Sequence, residues 1–445
     1  MLNKFQGNLI ALAVASALGG ASTLASAAGF ALIEQSASGM GNAFAGAAAT
    51  AEDASTVFYN PAGMSRLGGM QITVGAHLIN LSAKFSNSAS SIPPAAVLAG
   101  SQAGGNGGDA GGLNVVPNIY FVMPIGDRMN FGVGVNAPFG LVTEYDDTWI
   151  GRFQGIKSDL KTINVNPSIS FKVTDAVSVG AGINYQRLDA ELTNAVVLAP
   201  PVFGGLAEGR AKLKADDDGW GWNVGAMWQL TPATRIGAAY RSKIDYTLEG
   251  DITVTQASNG AVVPLATGPA KADVTLPDSF SLSLSHQLND QWQLLGDVTY
   301  TKWSTIDTID IKDGNNGSIR DRLTLNFDDA WRYSIGANYK LNDGWTLKGG
   351  VAFDQTPVKD ANSRTVRLPD NDRTWLSLGA QMKIMQSGRL DFGYTHIFIK
   401  NADINFSRGQ FNPGTTTVNP ATVSNVQGSY KGSVDILSVQ YSISF

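Results

Sequence analysis

Few side chains in this 445-residue sequence could carry out catalysis or hold a metal ion. It has no cysteine, and its only histidines are His77, His286 and His396. A nucleophilic enzyme needs a nucleophile beside an oriented base, and the G-x-S-x-G pattern of many hydrolases is absent. Zinc sites depend mainly on cysteine, histidine and carboxylate ligands. We therefore expect no catalytic residue, no metal site, no cofactor and no enzymatic activity.

The sequence does offer electrostatic chemistry, because basic residues recur at alternating positions in apolar segments. Where every second residue is apolar, the residues between fall on the opposite face of a strand. In several such segments that face carries Arg241, Lys243, Arg332, Arg373 and Trp375. A buried charge needs a partner, which is either a carboxylate of this chain or one of a bound molecule. The candidate partners within the chain are Asp245, Asp297, Asp328 and Asp354.

The elements that would position these cations are β-strands. Strict alternation of apolar and polar residues is seen in residues 162–173 (TINVNPSISFKV), 279–285 (SFSLSLS) and 437–445 (LSVQYSISF). Alternation predicts strands with one apolar face. Many of the segments run to about ten residues or more, which is enough to cross a bilayer at a tilt. The pattern therefore favours a membrane-spanning β-structure over a soluble sheet.

The first residues predict export from the cytoplasm. Lys4 precedes an apolar run at 8–18, and Ala25-Ser26-Ala27 is a small-residue cleavage site. This is the pattern of a secretory signal peptide, which we assign to residues 1–27. No later segment reaches the roughly 18 uninterrupted apolar residues of a spanning helix. The net charge of -5 predicts no nucleic-acid partner.

Connections of alternating length predict the number of strands. Short turns are predicted at 126–127, 174–175, 231–233, 289–290, 342–344 and 386–388. Longer polar or glycine-rich stretches lie near 85–114, 141–161, 191–216, 252–276, 307–322, 358–369 and 406–429. Thirteen connections join 14 strands, and short turns on one side with long loops on the other are typical of outer-membrane barrels. We predict an all-β membrane protein, with a 14-stranded antiparallel barrel over residues 70–445.

Residues 28–69 do not alternate, and we interpret them as a separate hatch inside the barrel. They are rich in glycine, alanine and serine, with a short helix predicted near 43–50. A barrel of 14 strands is too wide for its own side chains to fill. The alternative is a disordered periplasmic tail, against which the apolar residues Phe30, Phe44 and Phe58 argue.

The same N-terminal segment resembles a known family. Gly29-Phe30, Glu34, Ser36, Ser38-Gly39, Gly41, Ala43, Gly46, Asp53-Ala54 and Asn60-Pro61-Ala62 are similar to the hatch of the long-chain fatty-acid outer-membrane transporters of the FadL and toluene-transporter type. Further matches are Phe353-Asp354, Pro357, 369–373 (PDNDR), 375–377 (WLS) and the C-terminal strand ending at Phe445. The resemblance implies passive carriage of hydrophobic small molecules across the outer membrane of a Gram-negative bacterium.

The resemblance also implies where a ligand would bind and leave. Phe30 would reach into an apolar pocket. From the strand alternation, rather than from the resemblance, we expect a fatty-acid carboxylate to meet one of the inward-facing cations Arg241, Lys243, Arg332 or Arg373, and Trp375 to face the same lumen. The corner Asn60-Pro61-Ala62 would act in gating, the alternative being a plain turn. Long-chain fatty acids are the expected substrates. Aromatic hydrocarbons or alkanes are the alternative, and a general porin is less favoured.

A proline in the third strand predicts an opening in the barrel wall. Pro138 has no N–H and disrupts a fully paired ladder. We interpret Asn136, Pro138, Phe139 and Gly140 as a kink that opens the wall sideways; the alternative is that the strand simply ends early. Expected partners are outer-membrane lipid and lipopolysaccharide, together with the barrel-assembly machinery through Phe445. A monomer is expected.

Overall fold

The structure is a computed structural model that describes residues 29–200, 203–412 and 414–445. The predicted signal peptide, residues 1–27, lies outside these ranges. In the described ranges no helix is long and apolar enough to cross a membrane.

The described chain folds mainly into β-segments. They are β1 (Gln71–Asn87), β2 (Gly112–Ile125), β3 (Met129–Asn136), β4 (Gly140–Glu144), β5 (Lys157–Lys172), β6 (Val177–Leu198), β7 (Ala207–Thr231), β8 (Thr234–Arg241), β9 (Ile244–Gln256), β10 (Gly268–Leu276), β11 (Ser279–Gln287), β12 (Trp292–Thr301), β13 (Thr308–Asp313), β14 (Ile319–Thr324), β15 (Ala330–Lys340), β16 (Trp345–Asp354), β17 (Arg373–Ile384), β18 (Gly388–Ile399), β19 (Ala402–Arg408) and β20 (Ser424–Ser444).

These segments form a closed antiparallel barrel. Each of the pairs β3/β4, β8/β9, β10/β11, β12/β13, β14/β15 and β18/β19 follows one strand path with a short interruption, which leaves 14 strands. β1 pairs with β20 along its whole length, from Gln71 opposite Ser444 to Asn87 opposite Gly428, and this pairing closes the ring. The prediction of a 14-stranded antiparallel barrel is therefore confirmed.

The alternation of side chains shows which face of the barrel contacts lipid and which face lines the lumen. In β5, Ile163 is 52% exposed on the outer face, whereas Asn164 beside it is fully buried on the inner face. Ser168 and Ser170 are also buried, while Ile169 is exposed. Apolar outside and polar inside is the arrangement of a membrane barrel, the reverse of a soluble protein.

The long connections are shorter than the sequence predicts. The strands β6, β7, β9 and β10 extend far into the stretches read as loops, so the connections there span only 199–206 and 257–267. The predicted loop lengths were wrong because stretches rich in charged residues were interpreted as loops, whereas they form strands. On the outer face above the membrane the charged residues pair across strands instead, as Arg187 does with Asp216 at 2.7 Å.

Short helices occur chiefly in the N-terminal segment, residues 29–69. They are α1 (Ala37–Met40), α2 (Ala47–Thr50), α3 (Thr56–Tyr59) and the 3₁₀ helix Pro61–Arg66; Pro94–Leu98 and the 3₁₀ turns Pro264–Ala266, Trp303–Thr305 and Pro420–Thr422 lie elsewhere. α1 contacts β17, β18 and β20, α2 contacts β8 and β11, and the 3₁₀ helix contacts β5, β6 and β7. Contacts on so many sides of the ring place this segment inside the barrel.

Inward-facing glycines let the N-terminal segment approach the wall. A Cβ atom at Gly237 would overlap the carbonyl oxygen of Ala48, and one at Gly225 would overlap the side-chain oxygen of Asn60. Any larger residue at these two positions would push the segment away from the wall.

Ion pairs fix the same segment to the opposite wall. The Asp53 carboxylate is buried, pairs with Arg389 at 3.0 Å and accepts a hydrogen bond from Gln440 at 2.9 Å. Beside it, Lys348 pairs with Glu52 at 2.6 Å. These charges are largely withdrawn from water, so removal of one partner leaves the other uncompensated.

Replacement of the wall arginine tests this anchor. We expect Arg389→Ala to destabilise the docked segment by about 3 kcal/mol, because Asp53 becomes a buried, unpaired charge. Planar-bilayer recording of the variant should show transient conducting events. Arg128→Ala, at an exposed arginine in a short turn, is the matched control and should stay silent. A silent Arg389→Ala channel would contradict the assignment of this ion pair as an anchor.

Candidate functional site

The barrel encloses an apolar cavity on the side of the long connections, which we call the upper cavity. The empty space between its walls, including the part open to solvent, is about 1000 Å³. Its walls come from both the barrel and the N-terminal segment, and they include Phe30, Phe139, Leu141, Leu160, Leu188, Leu213, Leu248, Leu276, Ile309, Ile311 and Phe327. Almost every lining group is hydrocarbon, so the cavity favours an apolar ligand.

One buried arginine, Arg367, brings a positive charge to the upper cavity; the other cation in its lining, Lys271, is exposed and pairs with Glu249 at 2.8 Å. Arg367 lies in the connection between β16 and β17, is 6% exposed and lines the cavity. Its guanidinium donates to the carbonyl oxygen of Lys157 at 2.9 Å and to Ser158 Oγ at 3.0 Å. No carboxylate of the described chain pairs with it, and its Nε–H has no partner there.

Burial lowers the pKa of Arg367, and the positive charge of Arg408 lowers it further. A pKa shift in this direction means that the surroundings oppose the positive charge rather than compensate it. A bound anion would supply the missing compensation.

A second cavity, the lower cavity, lies between the N-terminal segment and the wall. Its volume is about 1120 Å³. Its lining combines apolar groups with the side chains of Arg241, Arg332, Asp297 and Asp354. It is therefore the more polar of the two cavities.

Arg332 and Arg241 both face the lower cavity, as the alternation predicts. Arg332 is buried, donates to the carbonyl oxygen of Ala43 at 2.8 Å and lies 5.0 Å from the ring centre of Trp375. Its Nε and Nη1 groups have no hydrogen-bond partner among the described residues. Arg241 stacks on Phe58 at 4.5 Å and donates to its carbonyl oxygen at 2.9 Å.

Three aromatic rings separate the two cavities, and we call them the aromatic barrier. Phe30 lies 4.9 Å from Trp303 and 6.1 Å from Phe139, and Phe139 lies 6.3 Å from Trp303. These distances are those of direct aromatic packing. Because Phe30 belongs to the N-terminal segment, movement of that segment would open the barrier.

The third strand is interrupted where the sequence predicts a kink. The ladder between β2 and β3 ends at Ile119 opposite Val135, and contact with the β1–β2 connection resumes where Glu144 donates to Ala110. Between these points residues 136–140 are all buried, so this part of strand 3 has left the outer surface. Pro117 lies on the β2 side of the opening and Pro138 on the other, and neither offers an N–H to bridge it.

The N-terminal segment pairs with this kink. Leu32 donates to the carbonyl oxygen of Pro138 at 2.8 Å, and Gly140 donates to that of Phe30 at 2.8 Å. The backbone at the kink is thus satisfied by a segment that is not part of the wall. Two residues of the aromatic barrier thus also take part in the kink: Phe139 belongs to it, and Phe30 pairs with it.

The Asn60-Pro61-Ala62 corner packs against β6 and β7, a few strands along the ring from the kink. Asn60 is fully buried, donates to the carbonyl oxygens of Ala48 and Ala226, and accepts from the backbone N–H of Ala62. It therefore ties two parts of the N-terminal segment to β7.

Some predicted site residues lie elsewhere. Lys243 is on the outer surface, paired with Asp245 at 3.1 Å; the prediction that it faces inward was wrong because the break between β8 and β9 reverses the alternation. Arg373 faces inward but is bound to Asp370 at 2.6 Å. Trp375 is buried against Arg332 and Phe44 and does not line either cavity.

The sequence alone did not predict that two residues, Arg367 and Trp303, belong to the site. Arg367 lies outside any strand, so no alternation assigns it an inner face. Trp303 lies in a 3₁₀ turn that interrupts the ninth strand, where the two-residue period also fails.

Comparison with known proteins identifies the family. Residues 19–445 match the family model described as outer membrane protein transport protein (OMPP1/FadL/TodX). The chain is 35% identical to outer membrane protein P1 of Haemophilus influenzae, over 89% of this chain and 90% of that one. It is 31% identical to the long-chain fatty acid transport protein of Escherichia coli, over 90% of this chain and 94% of the relative.

Solved structures agree on the fold. A Pseudomonas aeruginosa FadL homologue superposes with a TM-score of 0.83 at 26% identity, over 94% of this chain and all of that chain. The Ralstonia pickettii toluene transporter TbuX gives a TM-score of 0.64 at 22% identity, over 89% and 96% of the two chains, which supports the fold alone. The chain therefore belongs to the OMPP1/FadL/TodX family of outer-membrane transport proteins, which carry hydrophobic substrates.

Proposed function

We propose that this protein carries long-chain fatty acids across the outer membrane. One observation carries the proposal: Arg367, a buried guanidinium without a carboxylate partner in the described chain, lies at a cavity whose lining is almost entirely hydrocarbon. An amphiphile with a long apolar tail and a carboxylate head fits both parts. The Escherichia coli relative that is named a long-chain fatty acid transport protein supports the same substrate class.

The tail supplies most of the affinity. Burial of apolar surface contributes about 0.8 kcal/mol for each CH₂ group. A chain of roughly 16 carbons thus has a large gross driving force to leave water, which offsets the cost of immobilising it. The leucine-rich walls of the upper cavity need only exclude water, while the head group fixes the orientation.

The path continues through the aromatic barrier to the lower cavity. There Arg332 and Arg241 line the cavity together with Asp297 and Asp354, so a carboxylate would meet cationic hydrogen-bond donors within a polar lining. Withdrawal of Phe30 would open the barrier, and the interruption at Pro138 would let the tail leave sideways into the membrane. The ligand moves down its concentration gradient.

Neutral hydrocarbons are the second candidate substrates. The almost fully apolar lining of the upper cavity would accept them. A neutral ligand would leave the charge of Arg367 uncompensated, however, and buried uncompensated charge is costly. The structure therefore favours an acid over an aromatic hydrocarbon or an alkane.

Uptake measurements separate these substrates. We expect the protein, expressed in a strain lacking its own fatty-acid transporter, to restore uptake of radiolabelled oleate and to leave toluene uptake unchanged. Toluene uptake without oleate uptake would reassign the substrate to neutral hydrocarbons. Uptake of neither, together with large steady conductance in planar bilayers, would indicate a general porin.

Replacement of Arg367 tests the head-group contact. Hydrogen bonds to charged groups contribute about 1.5–3 kcal/mol, so Arg367→Met should weaken oleate binding about ten- to a hundredfold. Binding of decane should not weaken, and Arg367→Lys should recover part of the oleate affinity. Arg187→Met on the outer surface is the matched control for calorimetric titration of the detergent-solubilised protein. Equal loss for oleate and decane would show that Arg367 acts only in folding.

Replacement of Pro138 tests the side opening. Pro138→Val supplies an N–H and permits extended pairing, so we expect slower oleate uptake at unchanged oleate binding. Pro124→Val, at an exposed proline beside a short turn, is the matched control. Unchanged uptake by Pro138→Val would argue against an exit at this kink.

A further inference from the structure

The wall is also interrupted between strand 8 (β10 and β11) and strand 9 (β12 and β13). β10 and β13 pair only at Ala270 with Asp313 and at Lys271 with Lys312. Below that point the next backbone bond between the two strands runs from Lys302 to Asp278, at 3.0 Å. Between these points the described ladder is open, and we call this stretch the seam.

The local sequence explains why the seam does not close. Pro277 has no N–H to offer at its lower end. On the other side, strand 9 turns inward through the 3₁₀ turn Trp303–Thr305, and Trp303 is 1% exposed inside the barrel. Beyond this turn the chain pairs away from the seam, because Leu325 of the next strand donates to Asp307 at 2.8 Å.

Both edges of the seam line the upper cavity. Val274 and Leu276 contribute from β10, and Ile309 and Ile311 from β13. Val274 and Ile309 are only half-buried, although both lie on the inner face. Both edges of the seam therefore present apolar side chains between the ligand cavity and the outer surface.

The seam begins just above the membrane surface. Directly below it the outer face carries the aromatic residues Tyr240, Tyr300 and Trp331, which are typical of the membrane–water interface. The Tyr240 hydroxyl donates to Asp278 at 3.2 Å, at the lower end of the seam. The upper end is closed by an ion pair between Lys312 and Asp273 at 3.4 Å. The opening thus faces the head-group layer of the outer leaflet.

We propose that the seam is a portal through which an amphiphile already inserted in the outer leaflet enters the upper cavity sideways. The apolar edges accept the tail while the head group stays in the hydrated layer, until it reaches Arg367. This inference rests on the proposed function. It adds an access route at the opposite end of the path from the kink at Pro138.

A reversible cross-link tests the portal. If the register of Lys271 and Lys312 continued, Thr275 would lie opposite Thr308, and both are partly or fully exposed on the outer face. The chain has no native cysteine. We would join Thr275→Cys and Thr308→Cys with bis-maleimide reagents of increasing length. The matched control is Lys214→Cys with Asp251→Cys, a directly opposed pair in the intact β7–β9 ladder.

We expect the short cross-link at the seam to reduce oleate uptake to the background of cells without the protein. The control cross-link should have no effect. The purified, cross-linked protein in detergent should still bind oleate, because at equilibrium oleate can enter between the long connections, which are open to solvent. Full uptake with a complete seam cross-link would overturn the portal and indicate access through the long connections.

A second variant covers the case in which no cross-link forms. Thr308→Cys alone, labelled with a maleimide that carries a bulky polymer, should block uptake, whereas a methyl-sized thiol label should not. Equal uptake with both labels would also overturn the portal. Failure of the unmodified protein to bind or carry oleate would instead contradict the proposed function, so the two failures are distinguishable.

Discussion

The bilayer supplies no hydrogen-bond partners, and the structure depends on this constraint. An unpaired backbone group in hydrocarbon costs several kcal/mol, so the sheet must close on itself. The ladder between β1 and β20 meets this demand along the whole of β1. A ring of 14 strands then leaves a lumen that its own side chains cannot fill. The N-terminal segment occupies that lumen, and its glycine and ion-pair contacts follow from the need to pack against a wall of polar side chains.

The kink in strand 3 and the seam satisfy the same constraint in different ways. At the kink in strand 3, the backbone of Pro138 and Gly140 is paired by Leu32 and Phe30 of the N-terminal segment. At the seam between strands 8 and 9, the open ladder lies above the interfacial aromatic residues, where water can solvate the backbone. This difference ties the first opening, but not the second, to the position of the N-terminal segment.

Much of the fold was predictable because one face of each strand meets lipid. The two-residue alternation around Ile163 and Asn164 is a direct consequence, and it predicts the inward orientation of Arg241 and Arg332. The strand count follows from the alternating lengths of the connections. The alternation fails wherever a strand breaks, which is why Lys243 was assigned to the wrong face. The alternation also stops predicting strands above the membrane. There, strands carry pairs of opposite charge such as Arg187 with Asp216, and their sequences resemble those of loops. Arg367 was not predictable, since its position depends on the path of a connection.

The two-residue alternation alone does not distinguish a cation that binds a ligand from a cation that stabilises the fold. Arg373, Arg389 and Lys348 all face inward, and each is paired with a carboxylate of the chain. Arg367 and Arg332 are as deeply buried, yet each keeps N–H groups without a partner among the described residues. A paired cation stabilises the fold and gains little from an added anion, whereas an unpaired one gains a charge-assisted hydrogen bond. The two arginines without a carboxylate partner in the described chain, Arg367 and Arg332, lie at the upper and the lower cavity, on either side of Phe30. Each of the two cavities on the ligand path therefore combines apolar surface with a positive charge that can bind the head group.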